Sequence, residues 1–215
     1  MAAPITHVFF AEEFINDKLS PHNQTNFIVG TLFPDIRYYD NMDRQRTHLK
    51  KIVFSDLKKE NSFDAGLKFH SFLDEQRMEF FESREDYPFF LGPMRAAESS
   101  LKFFEDEILY ERIKDWPRIK GCLNDILPEE LYFSLREQDV RGWHRLLKEY
   151  FSQTPTDQSR ENLLRGMGFL DDTARQINLH IQQIKSEERI KRAVDEFIEG
   201  FSDEIKNGRV VAPTG

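Results

Sequence analysis

Apolar residues recur at intervals of three and four along most of this 215-residue chain, and that spacing places them on one face of an α-helix. No segment shows the strict alternation of apolar and polar residues that is typical of a half-buried strand. The composition agrees, because 20 phenylalanines favour a packed helical core and only 10 glycines are available for the turns of an all-β domain. The sequence therefore predicts an all-α fold, organised as one multi-helix domain over residues 1–208 with a frayed tail at 209–215.

The periodic segments and the prolines between them set the expected helix boundaries. Pro4 suits the first position of a helix, and Pro34 ends another. Residues 35–61 are expected to be irregular apart from short helical pieces around 43–58, and YPFFLGP is expected to be a break. Helices are predicted at residues 4–19, 22–33, 62–83, 94–115, 118–126, 128–136, 138–152 and 158–207.

The net charge of the chain argues against one class of function, nucleic-acid binding. The formal net charge is −8, and without a strong basic stripe we expect no tight nucleic-acid binding. One basic cluster stands out, and a solvated surface explains it about as well as a phosphate-binding patch. It comprises Arg44, Arg46, Lys50, Lys51, Lys58 and Lys59.

Targeting signals are not apparent in the sequence. The stretch MAAPITHVFFAEEF lacks a basic start, and Glu12 and Glu13 interrupt its apolar run, so no signal peptide is expected. No stretch of about 20 apolar residues is present, so no transmembrane helix is expected either. The single cysteine, Cys122, cannot form an intramolecular disulfide and is expected to be a small buried residue. A cytoplasmic protein is the simplest expectation.

The helix predicted over residues 62–83 carries two polar residues on the face that should be buried. Burial of an unpaired carboxylate is unfavourable, and a metal ion bound by a His and an Asp four positions apart would resolve the conflict. A hydrogen bond between His70 and Asp74 would also resolve it, and for this pair alone it is the simpler interpretation. The predicted stripe consists of Phe63, Leu67, His70, Asp74, Met78 and Phe81.

Three further candidate ligands precede this helix. His7 lies on the apolar stripe of the first helix, Asp35 follows Pro34 directly after an apolar helix, and His48 lies in RTHLKK. Each has another interpretation, as a core histidine, a helix cap and a surface residue respectively. What distinguishes the set is its order, since all of these motifs fall within the first 74 residues.

Four stretches, THVFFAEEF, FIVGTLFPDIRYYD, RTHL and GLKFHSFLDEQ, resemble in this order the bacterial zinc-dependent phospholipase C family. The resemblance covers about residues 4–80 and implies an all-α fold with metal ions bound between helices. It also implies that one zinc ion is held by four residues, and that His7 helps to hold a neighbouring ion that shares Asp74. Many relatives have a further His where this chain has Met78. The four implied ligands are Asp35, His48, His70 and Asp74.

A fainter similarity links the chain to acyl carrier protein phosphodiesterases, which are all-α and metal-dependent. It rests on Gly66, His70 and Asp74 and on FFEDEILYERI, where Asp106 would correspond to an Asp of that family. From its own helical neighbours, Asp106 is expected at the boundary of the surface. Two late helical histidines, His144 and His180, are expected at an interface or on the surface.

Two histidines and two carboxylates suit a borderline cation such as zinc, with manganese or iron as alternatives. Such an ion would activate water against a phosphoester. Asp35 is the candidate bridging ligand or general base, and Arg46, or else Arg37 or Arg44, is the candidate for binding phosphate oxygens.

The predicted function is metal-dependent hydrolysis of a phosphodiester. The substrate would be a phosphorylated small molecule, a lipid headgroup or a phosphopantetheine-bearing protein. A first alternative is a non-catalytic all-α binding protein with a structural or vestigial metal site. A second is a plain helical domain in which the His and Asp residues pair with each other.

Overall fold

The computed structural model describes residues 2–15, 21–40, 42–58, 62–91 and 97–207. Within these ranges the chain forms α-helices and short 3₁₀ turns, with no strand, so the predicted all-α class is confirmed. None of the described helices is long and apolar enough to cross a membrane. The predicted frayed tail lies outside the described residues.

The helices follow one another along the chain, and the connection between α3 and α4 contains two 3₁₀ turns. In the first half they are α1 (Pro4–Ile15), α2 (Pro21–Leu32), α3 (Arg37–Asp40), α4 (Ser62–Glu82), α5 (Tyr87–Leu91) and α6 (Ala97–Tyr110). In the second half they are α7 (Trp116–Cys122), α8 (Pro128–Leu131), α9 (Glu137–Tyr150), α10 (Asp157–Gly166), α11 (Asp171–Ile184) and α12 (Glu188–Asn207). The 3₁₀ turns are Phe33–Ile36, Arg44–Arg46 and Phe54–Lys58.

Several predicted boundaries were wrong. The helices predicted at 118–126 and 128–136 end earlier, at Cys122 and Leu131. YPFFLGP was expected to be a break, but its first five residues form α5, where Pro88 is tolerated in the first turn. The helix predicted to reach residue 115 ends at Tyr110, whose carbonyl accepts a 3.2 Å hydrogen bond from the indole N–H of Trp116. The helical character expected for residues 158–207 is confirmed, and the stretch is divided into three helices, α10, α11 and α12. α10 ends before Gly168, which has a φ of 81° that favours glycine after a helix.

α2 and α4 cross so closely that neither has room for a side chain at the crossing. A Cβ atom on Gly30 would lie 2.1 Å from the carbonyl oxygen of Phe63, and one on Gly66 would lie 2.2 Å from that of Phe27. Glycine at both positions therefore permits the close packing of the two helices. The crossing places the end of α2 beside the first turns of α4.

Side chains from later helices hold one end of α1 and one end of α2. Asp106 on α6 accepts hydrogen bonds from the backbone N–H groups of Ile5 and Thr6, the hydroxyl of Thr6 and the hydroxyl of Tyr150. It thus caps the first turn of α1, whose N–H groups lack partners within the helix. At the end of α2, the indole N–H of Trp143 donates to the carbonyl of Leu32 at 3.2 Å.

The expectation that Asp106 lies at the surface boundary was wrong, because Asp106 is fully buried. Burial raises the pKa of its carboxyl group to about 6, and the hydrogen bonds that it accepts act in the opposite direction. The distant partners of Asp106 at the start of α1 cannot be read from the periodicity of its own helix.

His144 and His180 were also expected at a surface or interface, and both are buried. His144 Nε2 lies 2.8 Å from a carboxylate oxygen of Glu130, so a buried pair satisfies this ring. The expected burial of Cys122 is confirmed. Neither histidine belongs to a group of candidate metal ligands in the described part of the chain.

Candidate metal centre

The five predicted ligand residues come together in one buried cluster. His7 lies on α1, Asp35 in the 3₁₀ turn after α2, His48 after a second 3₁₀ turn, and both His70 and Asp74 on α4. They form two overlapping groups, one of His7, His70 and Asp74 and the other of Asp35, His48 and His70. Within each group the candidate ligand atoms all lie within 4.8 Å of one another.

The carboxylate of Asp74 lies between the three histidines. Its Oδ1 atom accepts a 2.6 Å hydrogen bond from the backbone N–H of Ala2 and lies 3.4 Å from His7 Nε2. Its Oδ2 atom lies 3.5 Å from His70 Nε2 and 3.8 Å from His48 Nε2. Asp74 therefore has one oxygen near the first group of ligands and one near the second.

Two of the histidine rings are oriented through their Nδ1 atoms. His70 Nδ1 lies 2.9 Å from the carbonyl oxygen of Thr31, which can only accept, so this nitrogen carries the proton. His48 Nδ1 lies 3.1 Å from the hydroxyl of Thr47, which has its own acceptor in the carbonyl of Pro34 at 3.3 Å. We assign His48 the same tautomer, because the hydroxyl can then accept from Nδ1–H while donating to the carbonyl.

With these tautomers, the Nε2 atoms of His48 and His70 present lone pairs to each other. They are 3.3 Å apart, and the ring of His7 stacks on that of His70 with centroids 3.8 Å apart. Such a contact lacks a hydrogen between the two nitrogens, and a cation between the rings would make it favourable. Metal-bound histidines usually donate their other ring nitrogen to an oxygen, as both rings do here.

Several buried polar atoms of the cluster have no hydrogen-bond partner among the described residues. They are both ring nitrogens of His7, the Oδ1 atom of Asp35 and the Oδ2 atom of Asp74. Buried polar atoms without a partner are unfavourable and uncommon in folded proteins. Ring nitrogens and carboxylate oxygens are the ligand atoms that borderline divalent cations prefer. The buried groups could therefore hold a metal ion.

The electrostatics place the ligands in their metal-binding protonation states. Burial lowers the pKa of His70 to about 3 and that of His48 to about 4, so both rings are neutral at neutral pH. Burial opposes the ionisation of Asp74 and Asp35, but nearby His70 has the opposite effect on both carboxyls, and the pKa of each lies below its ordinary value. The cluster thus combines neutral imidazoles with ionised carboxylates, as metal binding requires.

A cavity of about 290 Å³ connects the cluster with solvent. His48 and Asp74 form part of its wall, so a ligand in the cavity can reach the cluster. The cavity is lined by Arg44, His48, Leu49, Lys50, Lys51, Ser71, Asp74, Glu75 and Met78.

The structure places two residues beside this cavity differently from what the sequence suggested. Arg44, and not Arg46, contributes the guanidinium of the wall, since Arg46 lies with its guanidinium carbon 5.7 Å from the ring centre of Phe133. Met78 was expected on the buried stripe of α4, but 43% of it is exposed at the cavity because the stripe turns towards solvent there.

Sequence reasoning missed the groups that orient the ligands. Thr47 had a usable signal, because it directly precedes His48 and a threonine hydroxyl can bond to a neighbouring ring. The carbonyl of Thr31 and the backbone N–H of Ala2 had none, because every residue type other than proline offers the same backbone groups.

Comparison with protein-family models, with curated proteins and with solved structures finds no match for this chain. Fold and site together define an all-α protein with a buried cluster of three histidines and two aspartates. The resemblance to zinc-dependent phospholipase C proteins stays a prediction from four short sequence motifs.

Proposed function

We propose that the chain is a metal-dependent hydrolase of phosphoester substrates, with phosphodiesters as the principal class. Zinc is the proposed cation, with manganese or iron as alternatives, because imidazole nitrogens and carboxylates suit all three. The observation that carries the proposal is the 3.3 Å approach of His48 Nε2 to His70 Nε2 beside two ionised carboxylates. The proposed ligands are His7, Asp35, His48, His70 and Asp74.

A divalent cation bound there would lower the pKa of a bound water and polarise a phosphoryl oxygen. Asp35 is proposed to accept the proton of the attacking water, since its Oδ1 atom has no hydrogen-bond partner in the described part of the chain and lies 3.8 Å from His48 Nε2. Arg44 is proposed to bind a phosphate oxygen, since it lines the cavity together with His48 and Asp74. The position of Arg46 over Phe133 gives the role predicted for it no support.

The cavity favours a compact phosphorylated group. Its volume of about 290 Å³ suits one small ligand and not a nucleic-acid helix. All three substrate classes considered from the sequence present such a group: a phosphorylated small molecule, a lipid headgroup and a phosphopantetheine-bearing protein. The proposal therefore concerns the reacting phosphoester, whichever molecule bears it.

The first test is the metal content of untagged protein, measured by mass spectrometry for the parent and for His70→Ala/Asp74→Ala. We expect about one or two equivalents of a transition metal in the parent and their loss in the variant. His180→Ala is the control, because it removes a buried histidine outside the cluster. The second test is hydrolysis of bis(4-nitrophenyl) phosphate by the metal-loaded parent, with loss of the reaction in Asp35→Asn.

Other outcomes would favour the alternatives. Tightly bound metal without hydrolysis of any phosphoester would indicate a non-catalytic protein with a structural site, and the exposed position of Met78, where relatives have a ligand, favours this second candidate. No metal after reconstitution would indicate a hydrogen-bonded cluster. In that case Thr47 would donate to His48 Nδ1, and His48 Nε2–H would donate to His70 Nε2.

A further inference from the structure

The wall of the cavity has a charge opposite to that of the whole chain. Arg44, Lys50 and Lys51 line it, and Glu75 is the acidic side chain of the wall that lies outside the metal cluster. Together with the ionised Asp74 of the metal cluster, these groups give the wall a local charge of about +1 at neutral pH, in a chain whose formal net charge is −8. Over the described ranges, no ion pair involves any of the three cationic side chains, so they remain available to an anion.

The segment that carries the two lysines is held in place on both sides of His48. The hydroxyl of Thr47 donates to the carbonyl of Pro34, and the backbone N–H of Leu49 donates to the hydroxyl of Ser71 on α4 at 2.9 Å. The backbone of His48 also donates to the carbonyl of Arg44 at 2.8 Å. Lys50 and Lys51 therefore follow a segment that is fixed to the same helix as His70 and Asp74.

The backbone of Lys51 is in the left-handed region, with a φ of 58°. Side chains other than those of Asn and Asp rarely adopt this conformation, and glycine would adopt it at lower cost. Unfavourable backbone conformations of this kind are concentrated at ligand-binding sites. A lysine therefore occupies a position at the cavity where the backbone conformation would be more favourable for glycine.

Apolar side chains lie beside these cations. Leu49 and the half-exposed Met78 line the same cavity. A ligand that fills the cavity would contact both, so the wall is suited to a molecule with an anionic end and an apolar part.

We propose that Lys50 and Lys51 bind a second phosphate group of the substrate, at a distance from the phosphoester that is cleaved; this inference rests on the proposed function. Leu49 and Met78 contact the apolar part that joins the two groups. The site prefers a diester that also bears a terminal phosphate over the same diester without one, and it disfavours a substrate with a cationic headgroup.

The test compares two substrates that differ in one group: a 4-nitrophenyl alkyl phosphodiester and the same compound with a phosphate at the far end of its alkyl chain. In Lys50→Ala/Lys51→Ala, the KM for the second compound should rise by about tenfold, which is the scale of a lost charge-assisted hydrogen bond. The KM for the first compound and the kcat for both should not change. Lys114→Ala/Arg145→Ala is the matched control, since it removes two exposed cations outside the cavity wall.

A second variant distinguishes an effect of the lost positive charge from an effect of a destabilised fold. Lys51→Gly removes one cation and also relieves the backbone at this position, so its thermal midpoint should not fall while its preference for the terminal phosphate does. An unchanged substrate preference in both lysine variants would overturn the anion site while leaving the hydrolase proposal intact.

If no diester is cleaved, the hydrolase proposal fails, and the binding of pyrophosphate to metal-stripped protein decides the anion site. Calorimetry at low ionic strength is suitable, because salt screens exposed charges. Binding that is lost in Lys50→Ala/Lys51→Ala and kept in the control supports the site. Equal binding by all three proteins, or no binding by the parent, overturns it.

Discussion

The Nε2 atoms of His48 and His70 lie 3.3 Å apart, and each ring is oriented by an oxygen from a different part of the chain. The carbonyl of Thr31 at the end of α2 holds His70, and the hydroxyl of Thr47 holds His48. Both oxygens bind the Nδ1 atom, so both rings turn the same nitrogen towards the cluster. Outer hydrogen bonds of this type fix the orientation and tautomer of metal ligands.

The first prediction concerns Thr47→Val, which keeps the shape of the side chain and removes the hydroxyl beside His48. The affinity for zinc should fall by about 10- to 100-fold, the usual effect of removing such a hydrogen bond. Competition with a chromophoric chelator measures it. Thr31→Val is the control, because the hydroxyl of Thr31 has no hydrogen-bond partner within the described ranges, while its carbonyl, which holds His70, remains. Equal affinities in the two variants would contradict the role of Thr47.

The second prediction concerns the acid stability of the metal-stripped protein. The pKa of His48 is lowered to about 4 and that of His70 to about 3 by burial. The unfolded chain therefore binds protons on these rings below about pH 6.5 that the folded chain does not bind. Their stabilising contribution is fully present above pH 6.5 and is lost as the pH falls towards 4, by about 3 kcal/mol for His48 alone.

Urea unfolding in the presence of a chelator, between about pH 7 and pH 4.5, measures this dependence. Asp106 acts in the opposite direction. Because its pKa is raised to about 6, its contribution is present at low pH and is lost as the pH rises through 6. Stability should therefore decrease more steeply with acid in Asp106→Asn than in the parent. Stability that is constant or higher at the acid end would contradict the neutral state of the buried histidines.

The third prediction concerns the distant cap of α1. Asp106→Asn replaces a carboxylate oxygen by an amide donor that faces other donors, so the free energy of unfolding at neutral pH should fall by about 3 kcal/mol. Tyr150→Phe removes one of the four hydrogen bonds and should cost only about 1 kcal/mol. Denaturant unfolding compares the two variants. Equal losses would show that the contacts of Asp106 with α1 contribute little.

The fourth prediction concerns the crossing of α2 and α4. Gly30→Ala would place a methyl group 2.1 Å from the carbonyl oxygen of Phe63, and the helices must separate to accept it. We expect a loss of about 3 kcal/mol or more in unfolding free energy, together with weaker metal binding. Gly200→Ala on α12 meets nothing within 4 Å and should instead stabilise the protein by about 0.5–1 kcal/mol. A mild effect at Gly30 would contradict the close crossing.

The helices and the candidate ligands were predictable from the sequence for different reasons. Helical periodicity depends on local spacing, which the sequence displays directly. The grouping of His7, Asp35 and His48 with the pair on α4 agrees with the order of the motifs, and metal binding itself stays a prediction.

What the sequence leaves open concerns residues whose positions depend on distant neighbours, and the phosphate-binding role predicted for Arg46 stays a prediction. Arg44 and Arg46 are two positions apart in the same basic cluster, and only the packing of Phe133 distinguishes the one at the cavity. The burial of Asp106 depends on partners 100 and 101 residues away, at the start of α1. Local pattern carries no information on such contacts.

Because Asp106 and Trp143 hold the two helix ends beside the site, they determine whether a fragment of this protein can keep the site intact. All five candidate ligands lie between His7 and Asp74, so a fragment ending after α5 would contain every one of them. It would nevertheless lack both side chains that hold the start of α1 and the end of α2. We expect such a fragment not to bind metal by itself. We also expect that grafting the four motifs into another helical scaffold would place the five residues in the new protein without reproducing their arrangement.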